Sequence, residues 1–183
     1  MGVDDNFFKS ELLKNCFLGA MVLGWPAGND GNPSEKLLGF QCFSAVSHGC
    51  RLLDYWTITE KDKSEKEESF FGFTIIYAGE KPAWTMNYHG WVRKGASEIV
   101  RKALMEAYTA KQFYGGRGVP LLEYKGMRYT NTLFPNVPPG DFTKFMGHEK
   151  VVLLTNGEPS YIFADVTYQG GIKEKLDINL LRC

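Results

Sequence analysis

The sequence predicts an α+β domain, an antiparallel sheet carrying two helices, and three observations predict it. Several runs alternate aromatic or β-branched residues with polar ones, the pattern of half-buried strands. Two other segments repeat apolar residues every three or four positions, the pattern of helices packed by one face. Glycine-centred turns separate the strand runs at hairpin spacing.

Residues 6 to 21 are the first helical segment. Phe8, Leu12, Leu13, Cys16, Phe17, Ala20 and Met21 form its apolar face, and Asp5 stands where an N-cap belongs. Gly24, Pro26, Gly28, Gly31 and Pro33 break the pattern into a loop. Strands are expected over 39–46 and 51–59, turning at His48-Gly49, and the charged run from Glu60 to Glu68 reads as a solvated loop tip. A hairpin follows, 70–77 and 82–92 around Ala78-Gly79-Glu80.

The clearest helix spans 98–113 and is amphipathic. Ser97 is its expected N-cap, and Ile99, Val100, Ala103, Leu104, Ala107 and Tyr108 are its buried stripe. Gly115-Gly116 is its expected end. Then come a strand over 121–133, a proline-rich corner at 135–139 and a short helical turn over 141–145. A last hairpin, 151–155 and 161–168, turns on Asn156-Gly157, the strongest short hairpin signal. The charged tail after Gly171 is expected to dock or fray.

Chain length and composition suit a single domain over 1–183. Apolar residues make up 44% and aromatics 14%, enough for a core that needs neither disulfide nor metal. Lys plus Arg equals Asp plus Glu at 21 each, so no global field draws a polyanion, and no nucleic-acid partner is expected. The stretch 16–25 is too short to span a bilayer, and acidic residues precede it, unlike a signal peptide. No membrane association and a cytoplasmic location follow as expectations. Cys16, Cys42, Cys50 and Cys183 form no CxxC pair and read as reduced thiols.

The two halves, 35–95 and 115–172, share landmarks 75 to 80 residues apart, which suggests a duplicated hairpin unit. His48-Gly49-Cys50-Arg51 matches Lys125-Gly126-Met127-Arg128, and Phe71-Gly72 matches Met146-Gly147. Gly79-Glu80 matches Gly157-Glu158, Trp84 matches Tyr161, and Tyr88-His89-Gly90 matches Tyr168-Gln169-Gly170. Trp84 to Tyr88 is four steps but Tyr161 to Tyr168 is seven, so a bulge must intervene if both pairs correspond. A cleft between such halves is the natural place for a ligand.

These residues also carry a family resemblance. Gly79 to Gly90, Arg117-Gly118 and Tyr168 to Gly171 resemble a bacterial domain family of unknown function. The resemblance covers roughly residues 10–172. That domain occurs alone or C-terminal to Xre-type helix-turn-helix regulators, which implies a sensing role; it supplies no catalytic residues. No DNA-binding helix pair is read at the start of this chain.

Candidate site residues are Trp84, Tyr88, His89, Arg117 and Tyr168. Trp84, Met86 and Tyr88 share one strand face, either a core face or an aromatic platform, while Thr85, Asn87 and His89 share the other. Gly115-Gly116-Arg117-Gly118 reads either as helix termination or as an anion cradle. His48, Cys50 and Cys42 are too scattered for zinc, and a Cys50–His pair is a remote nucleophile candidate. No metal, cofactor or catalytic motif is read, and Glu80 and Glu158 read as turn residues. The expected function is a non-catalytic sensor-like domain that binds a small ligand or a protein partner. The alternatives are a small enzyme around His89 with Arg117 or Glu123, and a structural homodimeric interaction protein.

Overall fold

A computed structural model of the protein describes residues 5–62 and 67–172. Helix α1 (Asp5–Met21) leads through a one-turn 3-10 helix (Trp25–Ala27) into nine strands. These are β1 (Asn32–Pro33), β2 (Gln41–Ser47), β3 (Cys50–Asp62), β4 (Glu67–Ala78) and β5 (Lys81–Arg93), then, after helix α2 (Ser97–Thr109), β6 (Leu121–Tyr124), β7 (Met127–Leu133), β8 (Lys144–Thr155) and β9 (Glu158–Ile172). All belong to one antiparallel sheet in the order β1-β2-β3-β4-β5-β9-β8-β7-β6. β2–β5 and β6–β9 are therefore two four-strand meanders, each preceded by a helix, that meet last strand to last strand.

Local chemistry sets the turns. His48-Gly49, Lys125-Gly126 and Asn156-Gly157 all have both residues at positive φ, the two-residue turn whose twist matches a hairpin. The Lys125-Gly126 turn splits the single strand expected over 121–133 into β6 and β7. The charged run 60–68 is largely strand: Glu60, Lys61 and Asp62 pair with Ser69, Glu68 and Glu67. Charged residues tolerate an extended ladder when one face is solvated. Residues 63–66, and the tail from 173 on with Cys183, lie outside the described residues.

The helices follow their stripes. Leu13, Cys16, Phe17, Ala20 and Met21 of α1 are buried against β2, β3 and β4, and α1 begins at Asp5 itself. All six expected stripe residues of α2 are buried. Its ends differ from expectation. Ala96 is the N-cap, without a side-chain bond, and Ser97 is already helical. The helix stops at Thr109, because Lys111 turns left-handed (φ 55°) and the N–H groups of Lys111 and Gln112 cap the carbonyls of Tyr108 and Ala107. Gly115-Gly116 sits further on, in a buried turn bridged by Tyr114 and Arg117. The segment 141–143 is a bend closed by Asp141 Oδ1, not a helical turn, and β8 begins at Lys144.

One face of the sheet holds the core. Trp84 is fully buried, stacked on Phe142 at 4.7 Å and tilted against Phe17 of α1 at 5.1 Å. Its indole N–H donates to the Phe142 carbonyl at 3.0 Å, so a large apolar ring is buried with its one polar group satisfied. Phe113, Phe145 and Tyr108 complete the cluster beneath α1 and α2.

Candidate functional site

The site grows from the β5–β9 seam. Across the inner face a row of paired residues runs Trp56, Gly72, Tyr88, Tyr168, Gly147, Leu133. Each tyrosine leans over the glycine of the next strand. A Cβ at Gly72 would lie 2.3 Å from the Tyr88 ring, and one at Gly147 would lie 2.2 Å from the Tyr168 hydroxyl. That lean carries each hydroxyl one strand further. Tyr88 donates to Asp54 Oδ1 at 3.1 Å, and Tyr168 donates to Asn131 Oδ1. Asp54 and Asn131 thus hold like positions in the two meanders, paired in register with Thr74 and Glu149.

Around Asn131 the chain closes on itself. Its Nδ2 donates to the carbonyls of Tyr114 (2.9 Å) and Gly118 (2.7 Å). Arg117, between them, is buried and forms a two-pronged ion pair with Glu149, at 2.7 Å from Nε and 2.6 Å from Nη2. Tyr129 donates to the same carboxylate, and its hydroxyl accepts from Gly118 N–H at 3.1 Å. Burial works against the guanidinium's charge, but Glu149 outweighs it, and the Arg117 pKa is raised. The same guanidinium lies 5.2 Å from the centre of the Tyr88 ring.

Around Asp54 the chain leaves space. A cavity of about 150 Å³ lies between α2 and strands β3, β4, β5 and β9. Its floor is Asp54, Tyr88, Tyr108 and Arg117, all buried; its rim includes Trp25, Trp56 and Phe70, half-buried, and Ile58, exposed. Both bonds to Asp54, from Thr74 (2.7 Å) and Tyr88, reach Oδ1. Burial raises its carboxyl to about 6, against the downward pull of Thr74, Tyr88 and Arg117. Burial, then the Asp54 carboxylate, pushes Tyr88 well up. Arg101 of α2 lies 4.4 Å over the Trp25 ring and bonds Asp30 at 2.9 Å, which fixes the 3-10 turn as one wall.

Of the residues singled out from sequence, Tyr88 and Arg117 line this cavity. Tyr168 stands across the seam from Tyr88, bonded to Asn131 rather than to the cavity. Trp84 is core. His89 is exposed on the other side of β5 from Tyr88, so it shares no centre with buried Arg117. Glu123 pairs with Arg128 at the surface. In the Arg117 loop, the guanidinium is already paired with Glu149. The cavity is also displaced from the midline toward the first meander. Trp84 and Tyr161 do not correspond, one fully buried and the other 66% exposed; the residue four before Tyr168 is buried Ala164. The β8–β9 register shifts between Val151 and Val152 and between Leu153 and Leu154.

Asp54, Trp56 and Glu149 were missed. A buried acid inside an aromatic strand looks, in sequence, like any alternating polar position, and the partners that define it lie far along the chain, Thr74 and Tyr88 at 20 and 34 positions from Asp54 and Arg117 at 32 from Glu149. Cys50 is a free thiol buried beside free Cys16, while His48 bonds Ser47 at the turn. Among the described residues no three His, Cys, Asp or Glu side chains converge as metal ligands. No helix among them is long and apolar enough to cross a membrane.

An α+β fold with a buried polar seam and a cavity beside it defines the class at the level of architecture. Residues 63–173, more than half of the chain, match the model of a domain of unknown function, DUF5680, and the chain belongs to that family. The match is shorter at its start than the resemblance read from the sequence, and leaves Asp54 and Trp56 outside it. No curated protein and no solved structure matches the chain.

Proposed function

We propose that the protein is a non-catalytic, sensor-like domain that takes a small ligand in the cavity between α2 and the sheet. The observation that carries this reading is the cavity's build: a half-exposed aromatic rim over a buried polar floor at Asp54. A volume near 150 Å³ suits a ligand about the size of a single ring. Resemblance to bacterial domains also found C-terminal to Xre-type regulators supports input of a signal rather than turnover. The matching arrangement of the two meanders further supports descent from a doubled unit, in which one half keeps its floor closed and the other keeps it open.

Native mass spectrometry of protein purified without unfolding tests the reading. A mass above that of the denatured chain is expected, and it should vanish in Val100→Trp, whose side chain would fill the cavity from α2. Equal native and denatured masses, with no uptake of single-ring compounds by the protein, would contradict it.

A further inference from the structure

The ligand's charge can be read from the difference between the two meanders. At Asn131 the chain itself fills the place beside the seam: the turn 114–118 supplies two carbonyls, and Asn131 Nδ2 donates to both. At the like position Asp54 no such turn arrives, and the cavity stands there instead. A carboxyl replaces the carboxamide, so the floor presents an oxygen where Asn131 presents an N–H. Both protein donors land on Oδ1, and among the described residues no hydrogen bond reaches Oδ2. Asp54 is 3% exposed, so what meets Oδ2 must come from inside the cavity. A group that fits there has to donate.

The charge balance points the same way. The buried charged side chains among the described residues are Asp54, Arg117 and Glu149, two acids and one base. Glu149 takes both prongs of Arg117, which leaves Asp54 without a cation of its own. The walls above it are the aromatic rings of Trp25, Trp56 and Phe70, a lining that suits a cation, and Trp25 already carries the Arg101 guanidinium over its ring.

We propose that the cavity takes a small organic cation, an amine whose N–H groups bond Asp54 Oδ2 while its apolar body lies against Trp25, Trp56 and Phe70. This rests on the binding reading above and names its ligand class. The proton equilibrium fits: a carboxyl raised to about 6 by burial is partly neutral when the cavity is empty, and an ammonium group would draw it back to the ionised form. Binding should therefore strengthen as pH rises through 6. The groups facing Asp54 are Thr74 and rim residue Glu68 of β4, Tyr88 of β5, Tyr108 of α2 and Arg117, while the thiol of Cys42 of β2 lies on the opposite face of the sheet beside Tyr55. Tyrosine and thiol stay neutral, and arginine charged, from pH 5 to 7.5.

Calorimetric titration with three compounds of one shape, benzylamine, benzyl alcohol and benzoate, tests the proposal. Benzylamine is expected to bind at least tenfold tighter than either at pH 7.5, and to weaken by about fivefold between pH 6 and 5 while benzyl alcohol stays constant. Asp54→Asn, which keeps the acceptor for Thr74 and Tyr88, should remove that preference; the pH series on the unaltered protein carries the test if the variant fails to fold. Equal binding of the alcohol, or tighter binding of benzoate, would overturn the cationic ligand and leave the binding site standing. Failure of all three to bind would remove both.

Discussion

Tyr88 and Tyr168 stand directly opposite each other across the β5–β9 seam, and each sends its hydroxyl over a glycine to an acid or amide one strand further on. The glycines are what make this possible. Gly72→Ala and Gly147→Ala would each place a methyl about 2 Å from the tyrosine atoms. Each is expected to cost about 1–3 kcal/mol, as overpacking does, read as a lower midpoint in urea. An exposed turn glycine, Gly140→Ala, is not an equivalent control because its φ is positive; Thr155→Ala at the surface is.

Arg117 and Glu149 act as a unit. Arg117→Met or Glu149→Leu alone leaves one charge buried without its partner and should cost about 3–5 kcal/mol. The double variant is expected to lose less than the sum of the two. Additive losses in urea unfolding would show that the pair is not coupled.

Asp54 makes stability depend on pH. Its folded value, about 6, lies above the usual carboxyl value of 3.8. A raised carboxyl contributes its full stability below about pH 4, where both states are protonated, and that contribution is lost as pH rises through 6. Asp54→Asn cannot ionise. The stability of the unaltered protein relative to Asp54→Asn should thus fall between pH 4 and 7, by on the order of 3 kcal/mol. A difference independent of pH would place the Asp54 carboxyl in its ordinary range.

Trp84 and Trp56 should separate stability from binding. Trp84→Ala is expected to cost about 3–5 kcal/mol, since the ring is fully buried and stacked on Phe142. Trp56→Ala, at the half-exposed rim, should cost much less and weaken ligand uptake instead. Thermal unfolding and native mass spectrometry on the two variants give the comparison.

Local pattern made most of the secondary structure legible. The stripe of α2, the Asn156-Gly157 hairpin and the Trp84-Met86-Tyr88 face are all where three- or two-residue periodicity puts them. Errors fell where a neighbour decides the outcome. Lys111 ends α2 because two backbone N–H groups cap it, although lysine carries no turn signal. The charged residues of β3 and β4 remain in strand because the ladder between the two strands continues through them. Arg117 was legible as an unusual residue between glycines, but Glu149 gives it its role from a strand 32 positions away. Asp54 was invisible for the same reason: only the seam shows that it corresponds to Asn131 and that its second oxygen is left over.

The indole N–H resonances of the four tryptophans test the cavity most directly. Trp25 and Trp56 line it, whereas Trp84 is sealed in the core and Trp91 lies by Arg93 on β5. On titration with benzylamine at pH 7.5, followed by nitrogen–proton correlation spectra, the signals of Trp25 and Trp56 should move together and saturate, with those of Trp84 and Trp91 nearly still. Movement confined to Trp91, or no saturable movement at all, would contradict a ligand site between α2 and the sheet.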